Sequence, residues 1–277
     1  MNFTERLRQT QQSRQSHLCI GLDVDPAKLP DHLKGKPDGL TLFTKAIIRA
    51  TSDLVCAYKP NLAFYEALGD KGGKVLRSTL KAIPQGVLTI GDGKRGDVGN
   101  TSTQYAKALF DDLGFDAVTV NPYMGFDSVE PFLQDESRGV FLLALTSNPG
   151  SNDFQRQKIG NVPLYEIVVR TVSTWNVHHN VGIVVGATHP DELRQIRSIA
   201  PAVPMLIPGI GTQGGDLDAS VTFGATLDGV GAVINASRSI LYASSGKDFA
   251  EAARAEAIRL RDTINQHHPA SPLWRKT

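Results

Sequence analysis

The stretch Leu88-Thr-Ile-Gly-Asp-Gly-Lys-Arg-Gly-Asp-Val-Gly-Asn-Thr101 begins as a short apolar run and then becomes rich in charge and glycine. Such a run indicates a buried strand. Because side chains two residues apart lie on the same face of a strand, we expect Asp92 and Lys94 to point the same way. Asp97 follows in the turn before a helix that we predict to begin near Asn100. Taken alone, this cluster is more typical of a solvated turn, so its meaning depends on the rest of the chain.

Seven further apolar runs follow the same plan, and helical patterns separate them. Leu40, Phe43 and Ile47, for example, recur at spacings of three and four and so form one face of a helix. Nearly continuous apolar strands that alternate with helices indicate a parallel sheet. The seven runs lie at residues 17–22, 55–58, 117–120, 140–145, 181–185, 205–207 and 231–234.

Eight strand–helix units in a chain of 277 residues predict an α/β fold of the closed (β/α)8 TIM-barrel type. The alternative is a doubly wound open sheet, but no G-x-G-x-x-G motif follows the first strand. We expect one barrel domain over residues 1–277. It carries an extra helix at 1–16, a long loop at 148–163 after the fifth strand, and a mobile tail at 266–277.

The composition indicates an ordinary globular protein. The net charge is +1 and acids and bases are interspersed, so nothing favours nucleic acid or an anionic membrane as a partner. No window approaches a membrane span, and the first residues lack the apolar core of a signal peptide. Cys19 and Cys56 lie in apolar runs, which is typical of buried free thiols in a reducing compartment. We therefore expect a cytoplasmic protein.

Polar side chains recur where the predicted strands end. The carboxyl ends of all strands in such a barrel meet at one rim, where the chemistry of these proteins is found. Each of these residues alone has a structural explanation, such as a helix cap or a turn, but together they predict a site. They are Asp23, Lys59, Asp92, Lys94, Ser147, Gln213 and Arg238.

One side of this rim is suited to phosphate. The glycine-rich loop at residues 208–215 can bring backbone N–H groups close to an anion, and Arg238 in the next unit adds a guanidinium group. The adjacent pairs His178-His179 and His267-His268 lack the spacing of metal ligands on a strand end, so we predict no metal site. There is also no G-x-S-x-G elbow of a serine hydrolase.

The motifs at the strand ends resemble those of the orotidine 5′-phosphate decarboxylase family. The segment Asp92-Gly-Lys-Arg-Gly-Asp-Val-Gly-Asn-Thr101 is similar to the family signature D-x-K-x-x-D-[I/V]-x-x-T. The remaining motifs follow in the family's order over about residues 17–245, and the length of the chain resembles the longer bacterial branch. Ser237 stands where glycine is common in the family. The remaining motifs are Gly-Leu-Asp23, Lys59-Pro-Asn, Thr-Ser147-Asn-Pro-Gly, Pro-Gly-Ile-Gly-Thr-Gln213-Gly-Gly-Asp and Ala-Ser-Arg238-Ser-Ile.

The resemblance implies cofactor-independent decarboxylation of orotidine 5′-phosphate to UMP, the last step of de novo pyrimidine nucleotide synthesis. It gives Lys94 the task of stabilising the carbanion at C6 and protonating it. Asp92 would lie near the substrate carboxylate, and Asp97 and Lys59 would keep Lys94 charged and oriented. It also implies a homodimer with shared active sites, in which Asp97 and Thr101 come from the partner subunit.

The resemblance further assigns the binding groups. Asp23 and Lys59 would hold the ribose hydroxyls, Ser147 the amide edge of the pyrimidine, and Gln213 and Arg238 the phosphate. Two alternatives remain. A metal-dependent sugar-phosphate decarboxylase or synthase shares this barrel, but it carries a glutamate ligand where this chain has Lys59. The other alternative is a non-catalytic barrel that binds a phosphate ligand.

Overall fold

The computed structural model describes residues 1–188, 190–210 and 216–267 and contains the predicted closed barrel. Eight parallel strands pair in the order β1-β10-β9-β8-β5-β4-β3-β2, and β2 closes on β1. The barrel strands are β1 (Leu18–Gly21), β2 (Ala57–Lys59), β3 (Leu88–Arg95), β4 (Ala117–Val120), β5 (Gly139–Leu145), β8 (Val181–Val185), β9 (Met205–Pro208) and β10 (Ala232–Ala236). The prediction of a (β/α)8 fold is confirmed.

Helices surround the barrel and connect successive strands. They are α1 (Phe3–Arg14), α2 (Gly39–Thr51), α3 (Leu62–Glu66), α4 (Gly69–Ala82), α5 (Gly99–Ala106), α6 (Phe126–Leu133), α7 (Leu164–Thr174), α8 (Pro190–Ile199), α9 (Leu217–Gly224), α10 (Arg238–Leu241) and α11 (Phe249–Gln266). Strand side chains alternate between two cores, as on β4, where Ala117 faces the barrel interior and Val118 packs towards the helices. This alternation explains why the strands are apolar on both faces.

The N-terminal helix closes the end of the barrel opposite the predicted site. The side chain of Asn2 caps α1 at its start, and Glu5 bonds back to the Asn2 backbone. Phe3 and Leu7 join the core inside the barrel. Gln11 is fully buried, and its amide group donates to the Ala232 carbonyl at 2.6 Å. The chain thus satisfies a strand carbonyl with a helix side chain.

The structure differs from the sequence-based expectations in local details. The loop after β5 contains a 3-10 turn at Pro149–Asn152 and a small antiparallel hairpin of β6 (Lys158–Ile159) and β7 (Val162–Pro163). Helix α5 continues as a π-helical turn, Lys107–Asp112, and Gly114 follows it with a φ of 74°. Gln213 and most of the predicted tail at 266–277 lie outside the described residues.

Both cysteines are free and buried, as the sequence indicates. None of the helices among the described residues combines the length and the apolar character that crossing a membrane requires.

Two adjacent glycines in α4 provide a test of how closely Tyr65 of α3 packs against this helix. A methyl group on Gly72 would lie 1.7 Å from the carbonyl oxygen of Tyr65, whereas one on Gly73 meets nothing within 4 Å. Gly72→Ala should therefore lower the free energy of unfolding by about 1–3 kcal/mol, the usual cost of overpacking. Gly73→Ala should raise it by about 0.5–1 kcal/mol, because alanine is the better helix former. Denaturant titration measures both, and equal effects would contradict the close packing of Tyr65 on α4.

Candidate active site

A cavity of about 300 Å³ opens at the carboxyl ends of the barrel strands. Six of the seven predicted rim residues line it, and the seventh, Gln213, lies outside the described residues. The six are Asp23, Lys59, Asp92, Lys94, Ser147 and Arg238. They come from five different strand ends, so the closure of the barrel is what brings them together.

Asp92 on β3 is the centre of the charged part of the cavity. One of its carboxylate oxygens accepts a hydrogen bond from Lys59 Nζ, and the other accepts one from Lys94 Nζ, each at 2.7 Å. Thr119 Oγ1 also donates to Asp92, at 2.9 Å. The side chains of Lys59 and Asp92 are 5% and 9% exposed, whereas that of Lys94 is 44% exposed. Asp92 therefore bridges a buried ammonium group and an accessible one.

The electrostatics of this cluster follow from burial and pairing. Burial alone would raise the pKa of Asp92, but the ammonium groups of Lys59 and Lys94 outweigh it and hold that pKa well below its usual range. Burial alone would lower the pKa of Lys59, but Asp92 and Asp23 outweigh it and raise that pKa above its usual range. Both groups are therefore charged over the whole physiological pH range.

Lys94 has an unusual backbone conformation. Its φ is 46°, a left-handed value that is uncommon for a residue with a side chain. The pairing of β3 with β4 shifts register between Gly91 and Arg95, and the Lys94 N–H donates to Thr119 Oγ1 at 2.9 Å. Lys94 and Asp92 were predicted to point the same way, and their side chains are in contact, but the strand is irregular there and simple alternation does not produce this contact. Strain of this kind is often found at functional sites.

Asp23 follows β1, two strands away from β3, and lines the cavity. Ser237 Oγ donates to one of its carboxylate oxygens at 2.9 Å. The other oxygen, Oδ1, is buried and has no hydrogen-bond partner in the described part of the chain. Because a buried acceptor without a partner is costly, this oxygen is suited to a donor on a ligand, such as a hydroxyl group.

Ser237 occupies the position where the resembling family commonly has glycine. Its φ is −127°, which lies outside the left-handed region that favours glycine. Gly21 provides the space instead, because a methyl group on Gly21 would lie 2.9 Å from Ser237 Cβ. The exchange of glycine for serine is thus accommodated, and the hydroxyl supports Asp23.

The side of the cavity predicted to bind phosphate is formed by the ends of β9 and β10. Pro208, Gly209 and Ile210 line it, and Arg238 lies exposed at its edge as the first residue of α10. Residues 211–215, which include Gln213, lie outside the described residues. Ser147 lines the cavity after β5, together with Thr146 and Asn148.

Two of the predicted site residues do not line the cavity of this single chain. Asp97 is half-buried in the turn before α5, and its carboxylate accepts from the Val98 N–H at 2.7 Å. Thr101 is exposed on α5. The ammonium of Lys94 pairs with Asp92, and among the described residues Asp97 makes no ion pair with it.

Six further polar residues line the cavity, and the sequence reasoning assigned none of them to the site. They are Asn61, Thr119, Thr146, Asn148, Asn235 and Ser237. Thr119 and Asn235 lie inside the apolar strands β4 and β10, and such an isolated polar residue in a barrel strand is the signal that could have found them. Ser237 precedes Arg238, and Asn61 caps α3 by accepting from the Ala63 N–H at 3.2 Å. Residues 1–188, 190–210 and 216–267 contain no group of three or more His, Cys, Asp or Glu side chains placed to hold a metal ion.

The fold and the site define a class: a (β/α)8-barrel protein with a buried lysine–aspartate cluster at one side of its mouth and an arginine at the other. Comparison with known proteins gives the family. The model of the Orotidine 5'-phosphate decarboxylase / HUMPS family matches residues 16–255. The chain belongs to this family.

Individual relatives agree with this assignment. An orotidine 5'-phosphate decarboxylase of Dehalococcoides mccartyi is 48% identical over 271 residues, which cover 96% of this chain and 98% of the relative. The solved structure of Leishmania donovani OMP decarboxylase has a TM-score of 0.85 and 38% identity, and the match covers 98% of this chain and 100% of that one. The Leishmania donovani UMP synthase structure has a TM-score of 0.88 and 39% identity. The match covers 98% of this chain but only 57% of that longer protein.

The burial of the Lys59–Asp92 pair leads to a prediction about stability. Asp92→Asn should lower the free energy of unfolding at pH 7 by about 3–5 kcal/mol, because it leaves the buried ammonium of Lys59 without this partner. Adding Lys59→Met should recover much of the loss, since no unpaired buried charge then remains. Lys94→Met is the matched control and should cost no more than about 1 kcal/mol, because Lys94 is partly exposed. Denaturant titration of Asp92→Asn, Lys59→Met, the double variant and Lys94→Met measures these changes in the free energy of unfolding. Additive effects of Asp92→Asn and Lys59→Met would contradict the coupling.

The pKa values of Asp92 and Lys59 determine the pH range over which their ion pair stabilises the fold. Because the pKa of Asp92 is lowered by folding, its contribution is present above the unfolded carboxyl pKa of about 3.9 and is lost as the pH falls below it. Because the pKa of Lys59 is raised by folding, its contribution is present below the unfolded lysine pKa of about 10.4 and is lost at higher pH. The difference between wild type and Asp92→Asn should therefore be constant between these limits.

Proposed function

We propose that this protein decarboxylates orotidine 5′-phosphate to UMP without a cofactor, as the last step of de novo pyrimidine nucleotide synthesis. The observation that carries the proposal is the bridge of Lys59 and Lys94 by Asp92 at the mouth of the barrel. Membership of the family and the names of the relatives support it.

The chemistry requires a fixed positive charge beside one carbon atom. When the bond between C6 and the carboxylate breaks, its electron pair stays on C6 in an orbital that the ring cannot delocalise. With no cofactor to accept the electrons, the protein has to stabilise this charge electrostatically. The ammonium of Lys94 does so, and then transfers a proton to C6 as CO2 leaves. The amine left on Lys94 takes up a proton from solvent before the next turnover.

The neighbours of Lys94 determine its position. Asp92 accepts its hydrogen bond at 2.7 Å, and Lys59 in turn fixes Asp92 from the barrel interior. The substrate carboxylate lies near Asp92 in this proposal, and the ammonium of Lys94 lies beside C6. Because these groups are held on strands, they need little reorganisation when charge develops on C6.

The remaining residues bind the parts of the substrate that do not react. Asp23, whose buried Oδ1 has no partner among the described residues, and Lys59 hold the ribose hydroxyls, and Ser147 bonds the amide edge of the pyrimidine. Arg238 and Gln213 hold the phosphate. Binding energy from this remote phosphate then contributes to closing the site around the reacting carbon.

We also propose a homodimer whose active sites are shared. Asp97 and Thr101 lie at the surface beside the cavity mouth, where a second copy can place them over its partner's Lys94. Exposed apolar side chains on the segments after β3 and β4 support an interface there, since such a patch is unusual on a monomer. These side chains are Val98, Tyr123, Met124 and Phe126.

The alternatives predict different chemistry at the end of β2. A metal-dependent sugar-phosphate decarboxylase or synthase needs a carboxylate ligand there, but this chain has Lys59 in an ion pair with Asp92. A non-catalytic phosphate-binding barrel has no need for a lysine held beside two acids. The cluster therefore favours decarboxylation over both alternatives.

The first experiment is an assay for loss of the orotate absorbance of orotidine 5′-phosphate, with and without a chelator. We expect turnover that the chelator does not change. Lys94→Ala should lower kcat by at least about a hundredfold while ligand binding stays measurable, because the group that protonates C6 is gone. Activity that is lost to the chelator and restored by Mg²⁺ would favour the sugar-phosphate alternative, and a fully active Lys94→Ala would refute the role of Lys94.

The shared site has its own test, in which two inactive variants are mixed. In a hybrid dimer of Lys94→Ala with Asp97→Ala, one site carries both defects, and the other pairs an intact Lys94 with an intact Asp97. With random exchange of subunits, half of the dimers are hybrids with one working site in two, so about a quarter of wild-type activity should return. If each site were built within one subunit, every site would keep a defect. Exchange confirmed by mass, without recovery of activity, would then refute the shared site.

A further inference from the structure

The loop between β5 and α7 folds back onto the strand end that carries Ser147. It passes through the 3-10 turn at Pro149–Asn152 and then returns, so that Gln155 lies beside Thr146. We call residues 146–148 the Ser147 segment. This segment lines the cavity, whereas Gln155 does not.

Gln155 holds the Ser147 segment with its side-chain amide. Its Oε1 accepts from the Thr146 N–H at 2.7 Å, and its Nε2 donates to Thr146 Oγ1 at 2.8 Å. The Thr146 hydroxyl in turn donates to Asn148 Oδ1 at 2.6 Å. The residues on both sides of Ser147 are therefore tied into one hydrogen-bonded network that begins at Gln155.

The strand itself does not supply this support. The pairing of β5 with β8 shifts register between Leu143 and Leu145, so the ladder is irregular just before the Ser147 segment. The Thr146 N–H bonds to Gln155 in place of a neighbouring strand. A buried backbone N–H without a hydrogen-bond partner destabilises the fold. The side-chain amide of Gln155 provides the acceptor that a neighbouring strand would otherwise supply to Thr146.

The opposite side of Ser147 is closed by the backbone of Gly186. The Gly186 N–H donates to the Leu145 carbonyl at 2.8 Å. A methyl group on Gly186 would lie 2.8 Å from the backbone nitrogen of Ser147 and 3.0 Å from its Cβ. The backbone of Ser147 thus packs closely against Gly186, and the residue before it, Thr146, is held by Gln155.

A second contact anchors the loop itself. Arg156 forms an ion pair with Glu192 on α8, and its N–H bonds to the Ser151 carbonyl at 3.2 Å. The loop at 148–163 is therefore attached at both of its sides, to the barrel through Gln155 and to a helix through Arg156. The sequence shows only that this loop is long, whereas the structure shows that it supports the Ser147 segment.

We infer that Gln155 is a positioning residue that fixes the Ser147 hydroxyl against the amide edge of the pyrimidine. The inference rests on the proposed function, because it requires that Ser147 bind the base of the nucleotide. Gln155 touches no substrate in this arrangement and acts only through the Ser147 segment. Its removal should therefore affect ligands that carry a pyrimidine and spare those that do not.

The test compares two competitive ligands on Gln155→Ala. Inhibition by UMP should weaken about tenfold, and kcat/KM for orotidine 5′-phosphate should fall by a similar factor, which is the usual effect of one lost hydrogen bond. Inhibition by ribose 5-phosphate, which has no base, should be unchanged. Equal losses for both ligands would mean that Gln155 only supports the fold, and would overturn the inference.

Gln157 provides a matched control in the same loop. It is exposed, and its amide donates to the Asn152 carbonyl at 2.8 Å, away from the cavity. Gln157→Ala should leave both inhibition constants within about twofold of wild type, as surface substitutions usually do. If Gln157→Ala weakened inhibition by UMP as much as Gln155→Ala does, the effect would arise from the loop in general and not from the hydrogen bonds of Gln155 to Thr146.

A double-mutant cycle separates action through Ser147 from direct action. In the Ser147→Ala background the change Gln155→Ala should have almost no further effect on UMP, because the group that it positions is already absent. Full additivity would overturn the inference while leaving the proposed function intact. If the wild type does not convert orotidine 5′-phosphate, the proposed function is wrong and the inference falls with it.

Discussion

The site depends on one buried carboxylate. Burying the ammonium of Lys59 in the barrel is costly unless an acid accompanies it, and Asp92 provides this acid at 2.7 Å. The same carboxylate then has a second oxygen, which holds Lys94 at the edge of the cavity. Thr119 completes the arrangement by bonding both Asp92 and the Lys94 backbone. The irregular strand and its left-handed residue persist because these contacts determine their conformation together.

The closure of the barrel distributes the remaining charges around this pair. Lys94 extends from β3 and Arg238 follows β10, and two strands, β1 and β2, separate them around the barrel. Asp23 lies between them and has one buried oxygen without a partner in the described residues. An elongated ligand with anionic groups at its two ends and hydroxyls between them matches this order. The proposed substrate has this form.

The sequence predicts those features that depend on local pattern. The apolar runs and the helical spacing predict the barrel. The position of polar residues directly after predicted strands identifies the six residues that line its cavity. The sequence did not reveal features that depend on contacts between distant segments. The register shift beside Lys94 arises from pairing with β4, and the role of Gln155 requires that a loop return to Thr146. In the sequence, little distinguishes Thr119 from other strand residues, because its contact with Asp92 forms only when the barrel closes.

The exposure of Lys94 explains why a second subunit matters to the proposed reaction. A charge that is 44% exposed is screened by water, and the field it exerts on a nearby carbon is weak. Stabilising a carbanion requires the same ammonium in a site from which water is excluded. The floor of the cavity is already shielded from bulk solvent, since Lys59 and Asp92 are buried. Lys94 is the exposed member of the cluster, so a partner subunit that covers it, as proposed, would turn a solvated lysine into an effective catalytic group.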